Sequence, residues 1–278
     1  MSRVFKAIFA STALVWSFAA PVAAGQQEDI VFALGRGDYA TASRLLHQLA
    51  DQGDAQAQYN LGVLYENGQG VQQNDAEAVK WYRKASEQGE ARAQNNLATM
   101  YASGQGVPQN YAEAMKWLRR AADQGNARAE QGLGFMYSNG HGVPQNDAEA
   151  MKWYRRAADQ GLASSQYALG LFYRQGKAVP QNDEEAVKWY RRAADQGYGD
   201  AQYNLGGMFL KGLGVPKQDY VQAHMWLNLA AMAGDQEAAQ LRDKVAADMN
   251  PAQIAEAQKL AREWKPKPGY EWKPKPPG

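Results

Sequence analysis

The sequence predicts an all-α solenoid, and three observations predict it. Trp81, Trp117, Trp153 and Trp189 stand 36 residues apart and Trp226 follows after 37, a period that marks units stacked in line. Within each unit the apolar residues fall at helical spacing. Ala, Gln, Trp and Tyr dominate where a β-rich chain would carry more Val, Ile and Thr. The 278 residues therefore count repeats, and one elongated domain is expected.

Each unit reads from glycine to glycine, beginning at Gly53, Gly89, Gly125, Gly161 and Gly197, so that five repeats fill 53–234. The first half is helix A. Ala57, Leu61, Leu64 and Tyr65 lie at i, i+4, i+7 and i+8, and the later units repeat the stripe. Gly62, Ala98, Gly134, Gly170 and Gly206 follow the central Leu. A small residue there costs a helix up to about 1 kcal/mol, which points to a close backbone approach. Gly68-Gln69-Gly70-Val71 and its counterparts end helix A in a tight turn. Helix B opens on a predicted capping box, Asn74 with Glu77, Asn110 with Glu113, Asn146 with Glu149, Asn182 with Glu185 and Asp219 with Gln222. Its buried side is predicted as Ala78, Trp81, Tyr82 and Ala85, with Lys80, Arg83 and Lys84 in water.

The ends differ. Arg3 and Lys6, the apolar run Ala7 to Ala20 and the small residues Val22-Ala23-Ala24 predict a secretory leader over 1–24, cut after Ala24. The run is shorter than the roughly 18 to 20 residues a spanning helix needs, and no later segment is long and apolar enough to span. Residues 25–52 form a divergent first repeat, with Leu45 in the place of Trp. After Gly234, two capping helices are expected over 235–264, the second starting at Pro251 behind Asn250. Glu263 to Pro268 and Glu271 to Pro276 both read Glu-Trp-Lys-Pro-Lys-Pro, and the proline density of 265–278 predicts an extended or disordered tail.

The Leu-Gly-x-x-Tyr of helix A, the Gly-x-Gly-Val-Pro turn and the Trp-Tyr-Arg-Arg-Ala-Ala-Asp-Gln-Gly of helix B together resemble the Sel1-like repeat, a relative of the tetratricopeptide repeat. The resemblance covers 53–234. It implies a right-handed α-α superhelix whose A helices line a concave face, a protein-binding role, and bacterial relatives linked with envelope processes and host interaction.

Chemistry is sparsely signalled. There is no cysteine, which excludes thiol catalysis, disulfides and Cys-ligated metals. His47, His141 and His224 fall at unrelated places in different repeats and form no His-x-x-x-His pair, so no metal site is expected. No serine stands in a nucleophile motif. The Gly-x-Gly-Val-Pro turn follows a helix and lacks the Gly-Lys-Ser/Thr ending of a phosphate loop. Carboxylates stand at the places of Asp159 and Glu149 in the first four units, which fits capping better than acid–base work. No cofactor is expected. The formal net charge is +1 and, without Arg3 and Lys6, −1, which offers no basic groove for nucleic acid. The Trp and Tyr series is read as core.

What repeats is scaffold, so function is sought where exposed places vary. On helix A a second face changes from unit to unit, and it nominates Tyr59, Val63, Arg92, Asn95, Arg128, Gln131, Phe135, Tyr167, Leu171, Arg174 and Tyr203 as a groove for a peptide or protein partner. Aromatics would give contact area and Arg92, Arg128 and Arg174 would anchor carboxylates. The alternative is that these side chains pack between repeats. The expected function is a non-catalytic scaffold in the periplasm or outside the cell. The four tail lysines could add a weak contact to anionic envelope polymers. A second reading, a cell-wall or β-lactam-directed role as in cysteine-rich secreted relatives, lacks both their cysteines and a Ser-x-x-Lys.

Overall fold

The computed structural model describes residues 23–270, which form fourteen helices and no strand. The expected leader lies outside them save for Ala23 and Ala24, which open α1 (Ala23–Gly35). The first repeat pairs α1 with α2 (Tyr39–Asp51). The five full repeats follow as α3 (Ala55–Asn67) and α4 (Asp75–Glu87), α5 (Ala91–Ser103) and α6 (Tyr111–Asp123), α7 (Ala127–Asn139) and α8 (Asp147–Asp159), α9 (Ala163–Gln175) and α10 (Asp183–Asp195), and α11 (Gly199–Lys211) and α12 (Tyr220–Met232). Two capping helices, α13 (Gln236–Ala247) and α14 (Pro251–Glu263), complete the described chain. The described chain resolves into two compact units that part within α7, the first reaching Met136 with 140–144 and the second taking 137–139 and 145–270.

The predicted apolar stripes are the core. Leu61, Leu97, Leu133, Leu169 and Leu205 are completely buried, as are the alanines four residues before the first three and the last. The small residue after that Leu answers to a ring. A Cβ on Gly62 would lie 2.6 Å from Tyr82 Cδ1, and one on Gly170 2.5 Å from Tyr190 Cδ1. In the second repeat, Ala98 takes the glycine's place and Leu118 the tyrosine's.

Helix A ends on a left-handed glycine, Gly68 at φ 67°, Gly104 at 75° and Gly212 at 66°. The second turn glycine has a different duty. A Cβ on Gly70 would sit 2.1 Å from the Tyr39 carbonyl oxygen, on Gly106 2.3 Å from that of Asp75, and on Gly214 2.1 Å from that of Asp183. Each turn therefore rests on the first residue of the helix B before it, and only a hydrogen fits. The fourth repeat carries Ala178 there, at φ 61°.

Helix B is capped on one side only, which corrects the expected box. Asn74 Oδ1 accepts from Ala76 and Glu77 N–H at 3.1 Å and Asn110 from those of Ala112 and Glu113, while Asn146, Asn182 and Asp219 accept from Glu149, Glu185 and Gln222. The return bond is not made, because the cap's own N–H already donates to a helix A carbonyl: Asn74 to Tyr65, Asn110 to Tyr101, Asn182 to Tyr173. Freed of that duty, Glu77, Glu113, Glu149 and Glu185 pair with the lysine three residues on. The reciprocal box does form at Asn250 with Gln253, at the start of α14.

Neighbouring repeats are joined by side chains that the periodicity placed in solvent. Arg83 donates to Tyr101 Oη at 2.8 Å and Arg155 to Tyr173 Oη at 2.7 Å, and His47 takes the same place beside Tyr65 at 3.2 Å. Lys84, Arg120, Arg156 and Arg192 lie over Trp81, Trp117, Trp153 and Trp189 at 4.1 to 4.7 Å from the ring centres. A glutamine ladder runs inside each unit. Gln94 donates to the Ser86 carbonyl and accepts from Gln124 at 2.9 Å, and Gln166 donates to the Ala158 carbonyl and accepts from Gln196 at 2.8 Å. The equivalent place in the third repeat is Glu130, which is 2% exposed.

Candidate functional site

The variable face of helix A separates into packing and surface. In the first unit Tyr59 is only 3% exposed, and Val63, Asn95 and Gln131 are equally buried. These four are therefore core, not groove lining. The Tyr59 ring lies 5.9 Å from that of Tyr82 and 4.5 Å beneath the Arg92 guanidinium. Burial pushes its hydroxyl pKa up to about 12, against the pull of Arg92. Arg92 is half-buried and engaged, donating to Glu90 at 2.8 Å and to the side-chain carbonyl of Gln56 in the repeat before. It acts as a clamp between α3 and α5. Arg128 is half-buried. Phe135 meets His141 edge-on at 5.6 Å, and that imidazole stacks on Tyr111 at 4.6 Å.

The second unit keeps more of the face accessible. Tyr167, Leu171, Arg174 and Tyr203 are each partly exposed. Arg174 pairs with Asp183 at 3.4 Å, a bond within its own repeat. Tyr167 is the centre of a cluster whose other members did not stand out in the sequence. Its ring lies 5.3 Å from Tyr198 and 5.8 Å from Tyr190, and Asn204 Nδ2 donates to its hydroxyl at 3.3 Å. Burial holds the Tyr167 and Tyr198 hydroxyls up at about 12. Asp200 stands beside both, and burial, helped by Asp235, raises its carboxyl above the ordinary value. Tyr198 could have been found: it occupies the place before helix A where Asp54 and Asn126 supply capping oxygens, and it makes no cap bond.

The arrangement is one of aromatic faces, neutral phenols and one carboxylate, suited to holding an extended peptide or a cationic side chain. It contains no activated nucleophile. Among the described residues no group of three His, Asp or Glu side chains converges as a metal set would, and the histidines remain apart, His224 buried in α12 with its pKa lowered by that burial. No described helix is long and apolar enough to cross a membrane.

Fold and site together define an α-helical repeat protein of the solenoid class. The Sel1 repeat profile matches residues 55–90, 91–126, 127–162, 163–198 and 199–235, and the chain belongs to the Sel1 repeat family. Its fold is similar to that of a protective antigen of uropathogenic Escherichia coli, with 35% identity and a TM-score of 0.74 over 87% of this chain and 53% of that one. It spans about half of that antigen's length. It is also similar to a Sel1 repeat protein from Oxalobacter formigenes, with 33% identity and a TM-score of 0.73 over 87% of this chain and 99% of that one. Among curated proteins, none matches the chain. Sel1 repeat proteins are in general protein-interaction scaffolds.

Proposed function

We propose that this solenoid is a non-catalytic docking scaffold of the bacterial envelope, and that it holds a peptide segment or protein surface on the helix A face of its second unit. The observation that supports this most is the half-open cluster of Tyr167 and Tyr198 with Asp200 and Asn204. Rigid aromatic side chains bury large area at little entropic cost, and a neighbouring carboxylate selects basic groups. The leader-like start of the sequence supports delivery across the inner membrane. The recurrent carboxylates and tryptophans are already employed in caps, ion pairs and packing, which supports a role without catalysis.

The test is photo-crosslinking in the living envelope, with a photoreactive residue at Tyr203 of the full chain. A discrete adduct, lost when Tyr167 and Asp200 are changed to Ala in a variant of unchanged helicity, is the expected result. An adduct of equal yield in that variant would overturn the reading.

A further inference from the structure

The last helix B departs from the pattern of the other four. Where Lys80, Lys116, Lys152 and Lys188 stand in solvent, α12 carries Met225, and where Lys84, Arg120, Arg156 and Arg192 stand it carries Leu229. Both are buried. They belong to one core with Ala238 and Val245 of α13 and Ala257 and Ala261 of α14, so the two capping helices cover a side of α12 that is solvated in the earlier repeats. Burial of apolar surface is what holds such a cap, and no polar group is needed beneath it.

One place runs the other way. The residue before the lysine is apolar in the first four repeats, Val79, Met115, Met151 and Val187, and in the fifth it is His224. The imidazole is 3% exposed, and its Nδ1 is shut off from solvent with no hydrogen-bond partner. His47 marks the contrast: its Nδ1 donates to the Ser43 carbonyl at 2.9 Å and its Nε2 meets Tyr65 Oη at 3.2 Å. One turn further along α12, Asn228 Oδ1 accepts from Arg242 Nη1 at 3.0 Å, and Arg242 Nη2 donates to Asp243 at 2.7 Å. Arg242 and Asp243, both on α13, are the charged groups that act on the imidazole, and among the described residues none on another helix packed against α12 does. Burial lowers the ring's affinity for a second proton, Arg242 lowers it further and Asp243 opposes them. A neutral imidazole can keep its hydrogen on Nε2 and leave Nδ1 a bare acceptor. The protonated ring carries two N–H groups, so Nδ1 would become a buried donor with nothing to accept from it, in the field of a guanidinium.

We propose that His224 is an acid-operated latch of the C-terminal cap: when the ring takes up a proton, α13 loosens from α12 and the apolar side of the last helix B, with Met225 and Leu229, is uncovered. The sign follows from linkage. The closed cap favours the neutral ring, so its stability is complete above the ordinary imidazole range, roughly pH 6.5, and is lost as the pH falls through the depressed value. The far end of the cap is held separately, by Trp264 edge-on to Trp226 at 6.5 Å and by Lys267 Nζ on Asp195 Oδ2 at 2.6 Å. Neither contact involves a histidine, so the loosening starts at α13.

The test is amide hydrogen exchange read by mass spectrometry on the full chain between about pH 7.5 and pH 5, a range that spans the imidazole titration, corrected for the intrinsic pH dependence of exchange. Wild type is compared with His224→Val, which installs the residue of the first and fourth repeats. In wild type, protection of the α13 amides is expected to fall about fivefold or more on acidification, while that of α3 and α4 holds. In the variant, α13 protection should stay level across the same range. His224→Met, the residue of the second and third repeats, gives the same reading should the valine variant lose helicity. An acid loss of α13 protection that is equal in wild type and variant, or a wild-type cap whose protection does not change with pH, overturns the proposal.

Discussion

Tyr82 donates its hydroxyl to Glu66 Oε2 across 2.5 Å, while its ring lies flat against the one helix A position that has no side chain, Gly62. Three residues on two helices thus form one unit of packing. The second repeat replaces all three together, with Ala98, Ala102 and Leu118 at the equivalent places. A shorter aliphatic side chain leaves room for a methyl on helix A and needs no acceptor. The fifth repeat retains Gly206 opposite Leu227, where a Cβ would also meet the Ala223 carbonyl at 3.2 Å.

This arrangement predicts a coupling. Gly62→Ala alone should destabilise by about 1–3 kcal/mol, since the ring must move. Combined with Tyr82→Leu, the loss should fall short of the sum of the single effects by about 1 kcal/mol or more. Urea unfolding of the four proteins of the cycle measures it, and strict additivity would refute the shared packing.

Glu66 predicts a pH dependence. Burial raises its carboxyl above the ordinary value, outweighing the Tyr82 bond that lowers it. The folded state therefore holds the proton to higher pH than the unfolded chain. The stability this supplies is present below the ordinary carboxylate range and is lost as pH rises through the raised value. Glu66→Gln keeps an acceptor for Tyr82 and removes the titration. Relative to this variant, the wild type should be most stable near the acid end and lose ground toward neutrality. Glu66→Ala should instead cost about 1–3 kcal/mol throughout, because the buried hydroxyl loses its partner. Parallel melts across the acid range distinguish the two.

Ala178 predicts a gain. It holds a left-handed conformation at φ 61° in a place where the other full repeats use glycine. Ala178→Gly should raise stability by about 0.5–1 kcal/mol, the relief of strain being partly offset by the freer unfolded chain. Gly70→Ala should cost more than that, since its Cβ would strike the Tyr39 carbonyl. Equal and small effects of the two changes would show that the turn does not rest on the preceding helix.

Helices, turns and caps were legible because each is written within one unit: the Asn74 oxygen and the Gly68 stop are local decisions. The capping box misled because the competitor for the Asn74 N–H, the Tyr65 carbonyl, lies on the other helix of the pair. The site was less legible for a related reason. Whether Tyr59 or Tyr167 faces solvent depends on how far the next repeat slides over it, and Arg92 reaching back to Gln56 closes the first while Asn204 leaves the second ajar. Periodicity shows which residues share a face and is silent on what covers that face.

The cation over the helix B indoles has an optical consequence. Lys84, Arg120, Arg156 and Arg192 shield the rings from solvent on the face they cover, so successive repeats carry fluorophores in nearly matched surroundings. A set of chains that each retain one of Trp81, Trp117 and Trp189, with Phe at the others, would let cationic and anionic quenchers time the opening of individual repeats. The feature that staples each helix B shut is also its own gauge.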